Sequence, residues 1–315
     1  MDVMFVGLTV GIHLMLPVLF IGWIGFSRYQ DRIRWIATTA VFVSFLAMLH
    51  LGGAGWHWVG WFWPYVFWAL SLGAMGWFLF KQWSDLPWLP QYGWKPWVGV
   101  AFSVALVVFF GSGIMGIIDG QQSPERTVEL EFPLDGGHFY VAHGGSTQAV
   151  NHHVGVDAQR YALDIVELDN LGIRARWILP ENLEAYQIWG ATLRAPCTGE
   201  VVDVEAERRD LPPTVLDEDR PMGNFVSIYC DDVDATVVMA HLQQESVAVD
   251  IGEDVEVGDS VGVVGNSGNT TEPHLHIHAV DGRIDDRDQL GWEATGVAME
   301  LDGRFLVRTD RVDRR

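Results

Sequence analysis

Three histidines at alternate positions, in His274-Leu275-His276-Ile277-His278, are the residues of this 315-residue chain whose types and spacing point most directly to chemistry. On an extended strand, alternate side chains leave the same face about 6.5–7 Å apart. That spacing suits a metal ligand beside a group that moves protons. A lone histidine on an apolar face is ordinarily a packing residue. Three in alternation, preceded by the turn-rich Gly265-Asn266-Ser267-Gly268-Asn269-Thr270-Thr271-Glu272-Pro273, are more than a core strand needs. Further imidazoles and carboxylates stand upstream, at His153, Asp157 and Asp164 and at His241.

The stretch VGNSGNTTEPHLHIHAV resembles the final motif of the lysostaphin-like (LytM-type) zinc metallopeptidases, G-x-S-G-x-[ST]-x-x-P-H-L-H. Three more pieces match in order: His153 within NHHVGVDAQRYALDIV, the segment GATLRAPCTGEVVDV, and Val238-Met239-Ala240-His241-Leu242 followed by VAVDIGEDVEVGDSVGVVGNSG. The resemblance covers about residues 137–282 and implies the duplicated hybrid motif fold. It also implies one Zn2+ per chain, held by His153, an aspartate and His276, with water in the fourth position. Three ligands with one open place are what a hydrolytic zinc centre requires. His274 would then take a proton from the water as general base, and His241 would hydrogen-bond the water or the developing oxyanion.

Two aspartates compete for the third ligand position. The short family form spaces histidine and aspartate four apart and selects Asp157. A longer form places the ligand on a strand after Q-R-[FY]-A, and Gln159-Arg160-Tyr161-Ala162-Leu163-Asp164 fits it. Asp164 lies among apolar strand formers that would hold it rigidly, and Asp157 lies among turn residues, so Asp164 is preferred. His152 reads as a supporting or surface residue. His278 could contact substrate or simply pack, and His138 and His143 receive no assignment.

The activity implied is that of a zinc metalloendopeptidase that cleaves peptide bonds in peptidoglycan or another envelope polymer with a zinc-activated water. The alternative is a catalytically inactive relative that serves as a binding or regulatory module for an envelope hydrolase. Retention of both ligand histidines, both catalytic histidines and two candidate aspartates favours the enzyme. GEDVEVGDSVGVVG is also similar to the strand pair of biotinyl and lipoyl carriers. Those need a lysine to modify, and the only lysines here are Lys81 and Lys95, outside the matched segment.

The elements that must position these residues divide near residue 118. Residues 1–118 contain three acids (Asp2, Asp31, Asp85), five basic residues and twelve of the fifteen tryptophans. Residues 119–315 contain 38 acids against 15 arginines, a net charge of about −23, which repels phosphate backbones and excludes nucleic acid as a partner. Uncharged apolar runs at about Val3–Phe26, Trp35–Leu51, Trp61–Phe80 and Trp97–Ile118 each approach the ~20 residues that cross hydrocarbon, so the bilayer is the expected partner. The first run lacks the basic n-region and cleavage site of a signal peptide, with Asp2 at its head, and is expected to stay in the mature protein.

Loop charge places Arg28, Arg32 and Arg34, and Lys81 and Lys95, on the inner side, so both termini are expected outside the cell membrane with the soluble half extracytoplasmic. Trp56, Trp58, Trp61 and Trp63, and Trp83, Trp88, Trp94 and Trp97, read as two interfacial belts. His13, His50 and His57 read as packing or interfacial residues in preference to haem ligands.

After Gly120, short β-branched stretches alternate with glycine, proline and acidic turns. The fold class is therefore an N-terminal all-α transmembrane region of four helices (1–118) joined by a linker (119–136) to a C-terminal all-β antiparallel peptidase domain (137–282), with a C-terminal extension (283–315). Residues 206–223 read as a solvated loop, and residues 170–187 as a loop that could rim a cleft. A hairpin between Gly199–Val204 and Asn224–Tyr229 would bring Cys197 and Cys230 together, where a disulfide could form.

Overall fold

Apolarity on every side, with no polar stripe, makes the N-terminal residues helices that bury little of themselves against one another. The computed structural model describes residues 3–53, 55–91 and 93–314; Asp2, on which the signal-peptide argument drew, lies outside the described residues. Helix α1 (Val3–Val10) runs through a π-helical turn at Gly11–Met15 into α2 (Leu16–Phe26). It is followed by α3 (Arg32–Gly52), the short α4 (Trp56–Val59), α5 (Trp63–Lys81) and α6 (Lys95–Gly120). Among the described residues, four helices are long and apolar enough to cross a membrane: Gly7–Phe26, Arg32–Gly52, Trp63–Lys81 and Lys95–Gly120.

Asp31 caps α3, its carboxylate accepting from Arg34 N–H at 3.0 Å. Gly25 lets α2 approach α5, since a Cβ there would lie 2.9 Å from that of Ala74. Histidines of the N-terminal half have packing contacts. His13 donates from Nδ1 to Thr9 O at 2.9 Å and sets its ring edge against Trp56, and His50 Nδ1 accepts from Trp68 Nε1–H at 3.0 Å. Trp56 and Trp58 differ from the belt expectation: both are buried, and Trp56 Nε1–H donates to Leu49 O at 2.7 Å. Trp88, Trp94 and Trp97 are exposed.

Residues 119–315 form a second unit. Its strands are β1 (Thr127–Leu130), β2 (His138–His143), β3 (Leu163–Leu168), β4 (Thr192–Arg194), β5 (Gly199–Glu205), β6 (Asn224–Cys230) and β7 (Ala235–Leu242). They continue with β8 (Asp254–Val255), β9 (Ser260–Val263), β10 (Leu275–Asp281), β11 (Gly296–Leu301), β12 (Arg304–Phe305) and β13 (Arg311–Asp313). The main sheet runs β13-β2-β3-β10-β7-β6-β5-β8, with β11 joining β10, β1 and β12, and β4 pairs with β9 in a small second sheet. The strands pair antiparallel except β1 with β11. One face packs a core of Phe139, Ile165, Ile228, Met239, Leu275 and Ile277 among others.

The segment read as a linker supplies β1, and the segment read as a C-terminal extension supplies β11, β12 and β13. Both escape a periodicity reading because their strands are short and separated by charged turns. Strands β5 and β6 pair as a hairpin around residues 206–223, and Cys197 and Cys230 at its open end are joined by a disulfide across 33 residues. Closing a loop of that length removes unfolded-state freedom worth about 2–4 kcal/mol.

Candidate active site

The strand register assembles the site. Antiparallel pairing of β10 with β3 sets His276 directly opposite Asp164, and β2, after a bulge between Val141 and His143, sets His143 opposite Asp164 from the other side. Facing residues of adjacent strands have Cβ atoms about 4.5–5.5 Å apart. His143, Asp164 and His276 therefore form one row across three neighbouring strands.

His153 reaches this row from a 3-10 turn, His152–Gly155, which Asn151 caps. The buried Asn151 carboxamide oxygen accepts from His153 N–H at 3.1 Å, while its Nδ2 donates to Gly145 O and Ala162 O, each at 3.0 Å. So tied, His153 Nε2 lies 3.1 and 3.0 Å from the two oxygens of Asp164. His276 Nδ1 lies 3.0 Å from Asp164 Oδ1 and His274 Nε2 3.5 Å from the same oxygen. Donor atoms of His153, Asp164 and His276 all lie within 4.8 Å of one another, as do those of His241, His274 and His276 and those of His143, His152 and Asp164. Asp157 is exposed, belongs to none of these groups among the described residues, and engages the fold through its backbone carbonyl, which accepts from Gly296 N–H at 3.0 Å.

His241, one residue before the end of β7, has a left-handed backbone, φ 64°, a conformation that side-chain-bearing residues seldom adopt and that commonly marks functional sites. Its Nδ1–H donates to Ser267 O at 2.8 Å. His274 Nδ1–H likewise donates to Glu272 O at 2.8 Å, and the two rings lie 4.9 Å apart. A neutral imidazole that donates from Nδ1 keeps a lone pair on Nε2.

The loops behind these carbonyls are held firmly. Arg174 and Glu272, both buried, pair through Nε to Oε1 at 2.7 Å and through Nη2 to Oε2, and Nη2 also donates to Ile178 O at 2.8 Å. This fastens residues 170–187 to the loop that orients His274. Residues 206–223 form a largely solvent-facing loop, as expected, that is also strapped to the neighbouring loop: Leu211, Thr214 and Asp217 donate their backbone N–H groups to Asn266, Thr271 and Gly268 carbonyls at 3.1, 3.0 and 3.1 Å.

Burial pushes the His276 imidazole down to about 3 and that of His241 well below its usual range, so both stay neutral, the form that binds metal or accepts protons. Burial opposes charge on Asp164 too, but the facing His153 and His274 hold its carboxyl well below the ordinary range. For His274, burial alone would lower the value and the Asp164 charge reverses that, raising it.

Asn151, Arg174, Glu272 and Arg308 escaped the sequence reading. Arg308, buried, donates to Ala142 O at 3.1 Å, Ala149 O at 3.0 Å and His143 Nδ1 at 2.7 Å, joining the end of the chain to the strands around Asp164. Asn151 alone had a local signal, a capping residue immediately before His152-His153. The other partners lie 98 residues or more apart in sequence.

No curated protein matches this chain. Among solved structures, it is similar to a zinc-containing peptidase from Vibrio cholerae, with 24% identity over 30% of this chain and 24% of that one and a TM-score of 0.23. It is similar to the catalytic domain of lysostaphin from Staphylococcus simulans, with 20% identity over 34% of this chain and 76% of that one and a TM-score of 0.23. It is also similar to the prophage-encoded M23 protein EnpA from Enterococcus faecalis, with 26% identity over 31% of this chain and 70% of that one and a TM-score of 0.19. The chain thus spans about a quarter of the length of the Vibrio cholerae peptidase. Residues 185–286, which include His241, His274 and His276, match Peptidase family M23, and the C-terminal half of this chain therefore carries an M23 peptidase domain.

Proposed function

We propose that this chain is a membrane-anchored zinc metalloendopeptidase that hydrolyses peptide bonds in peptidoglycan or another envelope polymer. The observation that carries the proposal is the convergence of His153, Asp164 and His276, with donor atoms within 4.8 Å of one another, from a 3-10 turn and two paired strands, the second of which lies within the M23 match. Two imidazoles and a carboxylate, all largely removed from solvent, are a donor set that zinc accepts with one place left open. Zinc bound there supplies Lewis acidity and brings the pKa of water toward neutral.

The remaining steps belong to the chain's own side chains. His274, its Nδ1–H committed to Glu272 O, keeps Nε2 available to take the proton of the attacking water and pass it to the departing amine. His241, its Nδ1–H committed to Ser267 O, offers Nε2 to the same space and hydrogen-bonds the water or the developing oxyanion. Asp164 aligns the imidazoles that face it. The full-length chain in detergent is expected to release new amino groups from a purified envelope polymer, to stop with a zinc chelator and to resume when zinc is restored. Release that is indifferent to chelation would contradict the proposal.

The four apolar helices anchor the domain. Arg28, Arg32 and Arg34 lie between the first two candidate spans and Lys81 and Lys95 flank the segment between the last two, which orients both ends of this chain outward by the excess of positive charge inside. An extracytoplasmic domain also accords with the Cys197–Cys230 disulfide, since such bonds persist in oxidising compartments. Externally added protease should cut residues 120–315 in intact cells. Full protection until the membrane is broken would reverse the orientation.

A further inference from the structure

We propose that His278 is a positioning residue for the metal, which fixes the tautomer of His276 so that His276 Nδ1 is left as a bare donor. The inference rests on His276 being a zinc ligand.

His278 follows His276 by two residues on β10, so both side chains leave the same face, and His278 is completely buried. Its Nε2 lies 2.9 Å from Leu290 O, which can only accept a hydrogen bond, so Nε2 carries the hydrogen. A buried neutral imidazole has one N–H, and Nδ1 of His278 is therefore an acceptor. That Nδ1 lies 3.0 Å from His276 Nε2, which must be the donor. With its hydrogen on Nε2, His276 presents the lone pair of Nδ1 to Asp164 Oδ1 at 3.0 Å. A lone pair and a carboxylate oxygen repel each other at that distance, and a cation held between them turns the repulsion into ligation.

The carbonyl at the end of this chain is free for a structural reason. Leu290 lies in a π-helical turn, Gln289–Glu293. A regular helix would direct Ala294 N–H to Leu290 O, four residues back. Here it donates to Gln289 O instead, at 2.9 Å, and the Leu290 carbonyl is left for His278. Gln159 Nε2 donates to Gly291 O at 2.8 Å and ties the turn to the segment before Asp164. Leu290 lies beyond residue 286, where the M23 match ends. The chain thus completes the setting of one of its own ligands from outside the matched span.

The test is a zinc titration of the full-length chain in detergent against a chromophoric chelator, on wild type, His278→Leu and His278→Asn. Loss of a hydrogen-bonding partner behind a ligand weakens metal binding by about 10–100-fold, and that is expected of His278→Leu. His278→Asn, whose carboxamide oxygen can accept the His276 Nε2–H, is expected to recover most of the affinity. Unchanged affinity in His278→Leu, or an equal loss in both variants, would overturn the inference while leaving the zinc site intact. A wild type that takes no zinc would overturn the reading on which it rests. Nitrogen-15 shifts of the metal-free wild type give a reading that needs no variant: hydrogen on Nε2 of both His276 and His278 is expected, and an Nδ1–H tautomer at either position overturns the proposal.

Discussion

Asp164→Ala is expected to remove hydrolysis by about three orders of magnitude or more, because Lewis-acid stabilisation of the transition state is worth several kcal/mol and ~4 kcal/mol corresponds to about 10³-fold in rate. Among the described residues, Asp164 is the one carboxylate faced by His153, His274 and His276, at 3.0, 3.5 and 3.0 Å. Without it, the imidazoles lose both their anionic partner and the oxygen that completes the donor set. Asp157→Ala should leave the rate near wild type, since that side chain is exposed on a turn outside the histidine groups. The check is kcat/KM on a cell-wall peptide for the two variants side by side. Hydrolysis that survives Asp164→Ala, or disappears in Asp157→Ala, would move the third ligand to the other aspartate.

His274→Ala should behave differently, losing about 10²–10⁴-fold in kcat, the usual contribution of a positioned proton-transfer group, while the chain still binds zinc. The distinction follows from geometry. His274 Nε2 lies 3.5 Å from the Asp164 oxygen, farther than the nitrogens of His153 and His276, and its other nitrogen is anchored to a backbone carbonyl. Measuring kcat, KM and bound zinc together separates the two roles. A His274→Ala chain that has lost its zinc would make His274 a ligand, and one with unchanged kcat would end its role in proton transfer.

Much of this was legible in the residues themselves. The alternation of His274, His276 and His278 on a strand was visible because strand periodicity is local, and so was the four-run apolar pattern of the first half. The preference for Asp164 drew on its apolar flanks, and the structure places it in the centre of the sheet with His276 opposite. Partnerships set by the tertiary fold were not legible. Nothing in the sequence pairs Arg174 with Glu272, brings Arg308 to His143, or opens a π-helical turn at Leu290 for His278. Residues 206–223 looked solvated because they are polar and proline-rich. Three of their backbone amides also bind the carbonyls of Asn266, Gly268 and Thr271, a role that composition does not reveal. The tryptophans of the 52–60 segment looked interfacial by type, whereas burial of Trp56 and Trp58 is decided by helix packing.

The central claim is a zinc site made of His153, Asp164 and His276. Elemental mass spectrometry of the purified full-length chain tests it most directly, with His276→Ala, Asp164→Ala and Asp157→Ala measured in parallel. About one zinc per chain in the wild type and in Asp157→Ala, and almost none in His276→Ala and Asp164→Ala, is the result expected of a single three-ligand site. A well-folded wild type without zinc, or zinc that persists after Asp164 is removed, would contradict it.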